Sequence, residues 1–384
     1  MAIDRDFLPT PEALHSRHSS KWRRYEPDVL PMHVAEMDYA IAPEIKAVLT
    51  KMIAESDIGY LGPVPEVAEA FVSFAKRHWG WEPDPKQVRI ATDVGVGTIE
   101  VLRTLGATGD KVIVTSPVYS AFYHWVGQIG LVIADAPLIR TDASWELDFS
   151  AIEAQMAAGA KFLLMSSPHN PVGKLFTRDE LSRLPDLAVK YGVTVISDEI
   201  HAPLTFPGET FTPWLSVSDN AREVGVLVTA ASKSFNLAGL KASIVVTQSA
   251  TMNQRLSKLI PDIHWRSSIL GAFAMAEAYS NCDAWLARAV AANLAARDHL
   301  VSELVRRLPQ VKVWVPQAGY LAWLDVTSLN LGEKAAERVI REQRVAFVDG
   351  TEHGAAYGNY LRINFACNLS SIDAAIDALA AYAN

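Results

Sequence analysis

The sequence predicts an α/β fold, with a large domain built on a mainly parallel sheet and a smaller α+β domain after it. Three observations predict it. From about residue 65 to 250, short runs apolar on both faces alternate with helix-like segments, the pattern of buried parallel strands and their crossover helices. Beyond about residue 280 that alternation gives way to a long Ala-rich stretch and then mixed strands and helices. The 384 residues, half of them hydrophobic with a mean hydropathy of +0.11, exceed one simple core and suit two domains. The boundaries expected are 45–280 for the large domain, with 1–44 and 281–384 forming the small one.

The elements follow in chain order. Pro65, followed by Val67, Ala70, Phe71 and Phe74, has the spacing of an amphipathic helix opened by proline. KVIVTSP, from Lys111 to Pro117, reads as a buried strand ended by a breaker. Ser150 with Glu153, and Thr177 with Glu180, read as capping boxes. The helix that begins near Arg178 is expected to run to Gly192. Further buried strands are expected in KFLLMSS at Lys161, VTVISDE at Val193, VGVLVTAAS at Val224 and ASIVVTQ at Ala242. Asp283 to Leu308 is helical; strands near Val311 and Tyr320, a helix, a strand and a last helix complete the small domain. No internal repeat or low-complexity tract appears.

Composition excludes several classes. A net charge of −8 and a pI near 5.7, without a Lys or Arg run, argue against nucleic acid as a partner. Cys282 and Cys367 are far apart and outside any metal-ligand spacing, so they read as two reduced thiols and no metal is expected. The start carries Asp4, Arg5 and Asp6 and no apolar signal core, and no apolar run approaches the roughly 20 residues of a membrane helix. The chain therefore reads as cytoplasmic, with no membrane partner.

Five motifs carry chemistry, each with a plainer alternative. In TAASKSFNLAGLKAS, Lys233 lies just past a buried strand among small residues, where desolvation favours a neutral, nucleophilic amine; it could also be an ordinary loop lysine. Ser232 and Lys241 beside it could meet a phosphate. In SDEIHAPL, Asp198 ends a strand and could keep a pyridine ring protonated, or simply cap a helix. His201 could equally be a satisfied core histidine. In SSPHNPVGKLFTRDEL, two prolines and Gly173 fix a tight loop that aims the Asn170 amide inward, or merely turns the chain. In ATDVGVGTIEVL, Val94, Gly95 and Val96 precede a helix expected near Thr98, a place suited to phosphate. The GxG there lacks its third glycine, since Glu100 occupies that position, so a dinucleotide fingerprint fails. In YLRINFA, Arg362 sits within an apolar strand, where it either binds a carboxylate or forms a buried salt bridge.

In this order and spacing the motifs resemble the fold type I pyridoxal 5′-phosphate (PLP) enzymes of the class I/II aminotransferase superfamily, over nearly the whole chain. They resemble in particular its MalY/PatB-type cystathionine β-lyases. LPMHVAEMDYA at Leu30 is similar to that subgroup's opening segment, with Glu36 where Asp is expected. QAGYLAWLD at Gln317 is similar to its small-domain strand motif, with Ala318–Gly319 a departure. The resemblance implies a fold type I transferase with a seven-stranded sheet and active sites at a homodimer interface. It implies that Lys233 holds PLP as a Schiff base and moves the α-proton, that Asp198 pairs with the pyridine nitrogen, and that Asn170 bonds the phenolic oxygen. His201 would stand where many aminotransferases carry a tyrosine. Tyr119, in SPVYSAF, would stack on the ring; Val94, Gly95, Ser232 and Lys241 would hold the phosphate, joined by Tyr60 from the neighbouring subunit. Arg362, with Asn170, would bind the substrate carboxylate.

The activity implied is a C–S β-lyase that cleaves L-cystathionine or cysteine S-conjugates to a thiol, pyruvate and ammonia. The rival is an aminotransferase on the same scaffold, which fold alone does not separate. His201 and the LPMHVAEMDYA opening favour the lyase. A nicotinamide-dependent oxidoreductase has only the lone GxG behind it. An idle PLP-binding regulator conflicts with the intact set of Lys233, Asp198 and Arg362. His264, Trp265 and Arg266 are expected to reach across the dimer toward the side-chain pocket.

Overall fold

The computed structural model describes residues 6–383, so Asp4 and Arg5 lie outside the described residues. Its large sheet has seven strands: β1 (Val88–Ala91), β2 (Lys111–Val114), β3 (Val132–Asp135), β4 (Phe162–Ser166), β5 (Thr194–Asp198), β6 (Gly225–Thr229) and β7 (Ser243–Val246). Their order is β1-β7-β6-β5-β4-β2-β3. β7 runs antiparallel to both its neighbours, and every other pairing is parallel. The sheet is therefore mainly parallel, as the apolar runs predict. Strands β4, β5 and β6 are buried at every residue, which is why they read as continuous apolar runs. Each buried Val, Leu or Ile contributes about 1.5–3 kcal/mol of transfer free energy. The edge strands β1 and β3 are half-exposed and four residues long, and the sequence pattern misses both.

Helix α1 (Pro65–Trp79) opens on proline and buries Val67, Ala70, Phe71 and Phe74 as expected. Helix α2 (Val94–Leu105) starts four residues before the expected Thr98, with Asp93 as its cap: Asp93 Oδ1 accepts from the Val96 N–H at 2.8 Å. Gly95 and Gly97 sit inside this helix because neighbours crowd them. A Cβ on Gly95 would lie 2.8 Å from the Trp125 ring, and one on Gly97 3.2 Å from Val245.

Helix α3 (Phe149–Ala157) corrects another expectation. Its cap is Asp148, which accepts from the Ala151 N–H at 2.9 Å; Ser150 lies within the helix. Starting there puts Phe149, Ile152 and Met156 against the core, while Glu153 turns outward to Lys190 and Tyr191. The capping box of Thr177 and Glu180 is present. The helix it opens is split into α4 (Arg178–Ser182) and α5 (Leu184–Tyr191). Pro185 supplies no N–H and its ring excludes the carbonyl four residues back. Gly192 ends α5 in the left-handed region at φ 66°.

The second sheet has strands β8 (Lys312–Val313), β9 (Leu321–Asp325), β10 (Val348–Asp349) and β11 (Tyr360–Asn364), all antiparallel in the order β8-β9-β11-β10. Arg362 lies on β11, opposite Trp323 on one side and Val348 on the other. Helices α6 (Asp283–Arg307) and α7 (Leu369–Ala380) pack against each other. Leu30 and Pro31 pair in parallel with Val345 and Ala346, which carries residues 33–36 toward the large sheet. The two sheets are tied where Gln317 and Gly319 donate to the carbonyls of Gly173 and Leu204.

Candidate active site

Residues just past the carboxyl ends of five parallel strands converge on one cavity of about 480 Å³, the place where open α/β sheets bind ligands. β1 leads to Asp93, Val94 and Gly95, β2 to Tyr119, β4 to Asn170, β5 to Asp198 and His201, and β6 to Ser232 and Lys233. Because β7 is antiparallel, its amino end lies at the same edge of the sheet, and Lys241 arrives there too. Arg362 enters from the small sheet. Ten of the predicted residues thus face one space: Val94, Gly95, Tyr119, Asn170, Asp198, His201, Ser232, Lys233, Lys241 and Arg362.

Two predicted residues stand elsewhere. Val96 does not line the cavity, and its N–H is taken by the Asp93 carboxylate. That N–H serves the helix cap. Tyr60 is 89% exposed and does not line the cavity of its own chain. Nor does His264–Arg266; His264 Nε2 instead lies 3.2 Å from the Gly62 carbonyl, beside the loop that carries Tyr60.

The electrostatics follow from burial. Burial pushes the Asp198 carboxyl up to about 7, against the N–H of Ile200 and the charge of Lys233, which pull it down. Burial, then the charge of Arg362, brings the Lys233 amine down to about 8, while Glu36 and Asp198 act against the shift. Lys233 Nζ donates to the Ala35 carbonyl at 2.8 Å, which fixes it within the cavity. Burial, then Lys233 and Arg362, pushes His201 down to about 3, so its imidazole is neutral, and its Nδ1 has no partner. Lys241 Nζ lies 3.1 Å from Asp93. Burial raises the Tyr119 hydroxyl, whose ring stands edge-on to Phe122 and Trp125.

Arg362 is buried yet has no carboxylate partner among the described residues. Its Nη1 donates to Asn170 Oδ1 at 3.3 Å, its Nη2 to the His33 carbonyl at 3.0 Å, and its Nε is unpartnered. The buried salt bridge is therefore not what holds it. A desolvated guanidinium with a donor to spare is a receptor for a carboxylate.

Together these groups suit a planar, phosphate-bearing aldehyde. Lys233 supplies the amine, Asp198 a buried carboxylate, Tyr119 an aromatic face, and the start of α2 with Ser232 and Lys241 an anion site. Among the described residues no cluster of His, Cys, Asp or Glu could hold a metal ion. The sequence reading missed Arg24, Tyr25, His33, Trp125 and Glu352, which also line the cavity. Only His33, inside the LPMHVAEMDYA segment, carried a signal that could have found it.

Comparison with known proteins adds to this geometry. Residues 27–379 match the family described as aminotransferase class I and II. The chain is 30% identical to cystathionine beta-lyase PatB of Bacillus subtilis, over 90% of both chains. It is 32% identical to the cystathionine beta-lyase of Corynebacterium glutamicum, over 95% of this chain and 97% of that one. The crystal structure of cystalysin from Treponema denticola, which contains a pyridoxal 5′-phosphate cofactor, superposes with a TM-score of 0.92 at 26% identity, covering 100% and 99% of the two chains.

Proposed function

The chain belongs to the aminotransferase class I and II family, and on that premise we propose that it is a PLP-dependent carbon–sulfur β-lyase. It would cleave L-cystathionine or a related cysteine S-conjugate, with water, to a thiol, pyruvate and ammonia. One observation carries the reading: Lys233 and Asp198 share a cavity with an Arg362 that lacks a carboxylate. The names of the relatives point the same way.

When bound, PLP supplies an electron-poor ring that takes up negative charge from the substrate α-carbon. In this reading Lys233 carries the cofactor, and its amine, once displaced by the substrate's, takes the α-proton. A value near 8 suits that proton transfer close to neutral pH. Asp198 keeps the ring nitrogen protonated, and the positive charge it meets offsets the cost of its burial. Asn170 and the neutral His201 would hold the phenolic oxygen, and Tyr119 would offer an aromatic face to the ring. Val94, Gly95, Ser232 and Lys241 hold the phosphate. Arg362, steadied by Asn170, grips the α-carboxylate and turns the Cα–H bond toward Lys233.

We also propose a homodimer in which Tyr60 of one subunit completes the phosphate site of the other. Ile53, Ile58, Tyr60 and Trp265 are all more than half exposed, and His264 contacts the Tyr60 loop. Sedimentation as a monomer at micromolar concentration would remove this part. The two buried, unpaired thiols suit a reducing compartment, and we place the chain in the cytoplasm; no described helix is long and apolar enough to cross a membrane. Fractionation of the native cells would test that placement.

Incubating the PLP-loaded protein with L-cystathionine and no oxo acid should release pyruvate and thiol in equal amounts. Turnover only when 2-oxoglutarate is added would make the protein an aminotransferase instead.

A further inference from the structure

The mouth of the cavity holds two groups that the proposed reaction does not use. His33 is 2% exposed, lines the cavity, and has neither ring nitrogen hydrogen-bonded. Both ring nitrogens are closed off from the cavity, so His33 lines it through its other atoms. Arg24 also lines the cavity, is exposed, and makes no ion pair among the described residues; its guanidinium lies over the Tyr25 ring at 5.6 Å. Tyr25 in turn stands edge-on to His33, with ring centroids 4.9 Å apart. Arg24, Tyr25 and His33 therefore form one continuous wall.

That wall is joined to the α-carboxylate site through the backbone, since the His33 carbonyl accepts from Arg362 Nη2. A substrate gripped at Arg362 thus has the His33 residue beside it and Arg24 farther along the wall. The exposed carboxylate that also lines the cavity, Glu352, makes no ion pair with Arg24. The charge felt most strongly at the His33 ring is Arg24.

We propose that Arg24, on the wall built by Tyr25 and His33, is a subsite for a carboxylate at the far end of the substrate's sulfur-linked substituent. The enzyme is then selective for S-conjugates whose leaving thiol carries an acid group, over those whose leaving thiol is a plain alkyl chain. Arg24 supplies the charge-assisted hydrogen bonds, and His33 backs the Tyr25 ring over which the Arg24 guanidinium lies. The inference rests on the lyase reading for its chemistry, but its binding part is independent of turnover.

Two matched substrates test it: S-(2-carboxyethyl)-L-cysteine, and S-propyl-L-cysteine without the acid. The PLP-loaded wild type should prefer the first in kcat/KM by at least about tenfold. Arg24→Gln should abolish that preference by raising KM for the acid substrate about tenfold, leaving kcat and the propyl substrate within about twofold. Arg24→Glu should shift the preference to S-(2-aminoethyl)-L-cysteine. Arg24 is exposed, so neither change threatens the fold.

Binding of the unreactive 3,3′-thiodipropionate and 3-(propylthio)propionate, measured by calorimetry on the loaded protein, should show the same loss on Arg24→Gln. Equal affinity for the two probes in the wild type, or equal effects of Arg24→Gln on both, would overturn the subsite. Absence of pyruvate from every substrate, with the binding difference intact, would instead remove the lyase reading and leave the subsite standing.

Discussion

Arg362 concentrates the energetics of recognition in one side chain. Its guanidinium is desolvated and spends two of its five N–H donors on Asn170 and the His33 carbonyl. Lysine would keep the charge but lose the planar fork. Arg362→Lys should therefore lower kcat/KM about a hundredfold, mostly through KM, which corresponds to about 2.7 kcal/mol of lost binding. Steady-state kinetics on cystathionine checks this, and an unchanged KM would contradict it. Lys233, Asp198, Asn170 and Arg362 were legible because each sits in a short motif at a strand end or inside an apolar strand. Arg24, Tyr25 and Glu352 were not, since they come from distant segments with no local pattern and meet the site only through tertiary packing.

Among the elements, strands buried on both faces were readable from composition alone, while the edge strands β1 and β3 were not. β1 contains Arg89, and β3 is exposed at two of its four residues, so neither gives an unbroken apolar run. Helix starts were less legible, because several residues near each start are able to cap it. Asp148 and Ser150 compete for α3, and the carboxylate two residues earlier wins by letting Phe149 reach the core. Asp148→Ala should then cost about 1 kcal/mol of stability, whereas Ser150→Ala should change it by less than about 0.5 kcal/mol. Urea denaturation of the two variants tests the assignment, and the reverse order would contradict it.

For the molecule as a whole, burial of ionisable groups sets the acid response. His33, His169 and His201 are pushed down to about 4, about 4 and about 3, and His353 lies well below the ordinary value, all chiefly by burial. Asp198 and Glu199 are pushed up to about 7 and about 8. Between pH 6 and 5 the unfolded chain carries protons on most of four imidazoles that stay neutral in the fold. The folded chain meanwhile keeps protons on two carboxyls that the unfolded chain has released. The unfolded state thus binds nearly two more protons, and stability should fall on acidification by about 2 kcal/mol per pH unit. Urea midpoints of the cofactor-free protein at pH 6 and 5 test the sign; a flat or rising stability would contradict it. The mainly parallel topology explains why motifs far apart in the chain share one cavity, since it sets five strand ends along one edge of the sheet.

The proposed chemistry depends on one amine, that of Lys233, to carry the cofactor. Reducing the PLP-loaded protein with borohydride and mapping its peptides tests this most directly. The label should appear on the peptide containing Lys233 and be lost in Lys233→Ala. A label on another lysine, or none on a protein that retains its yellow colour, would take that role away from Lys233.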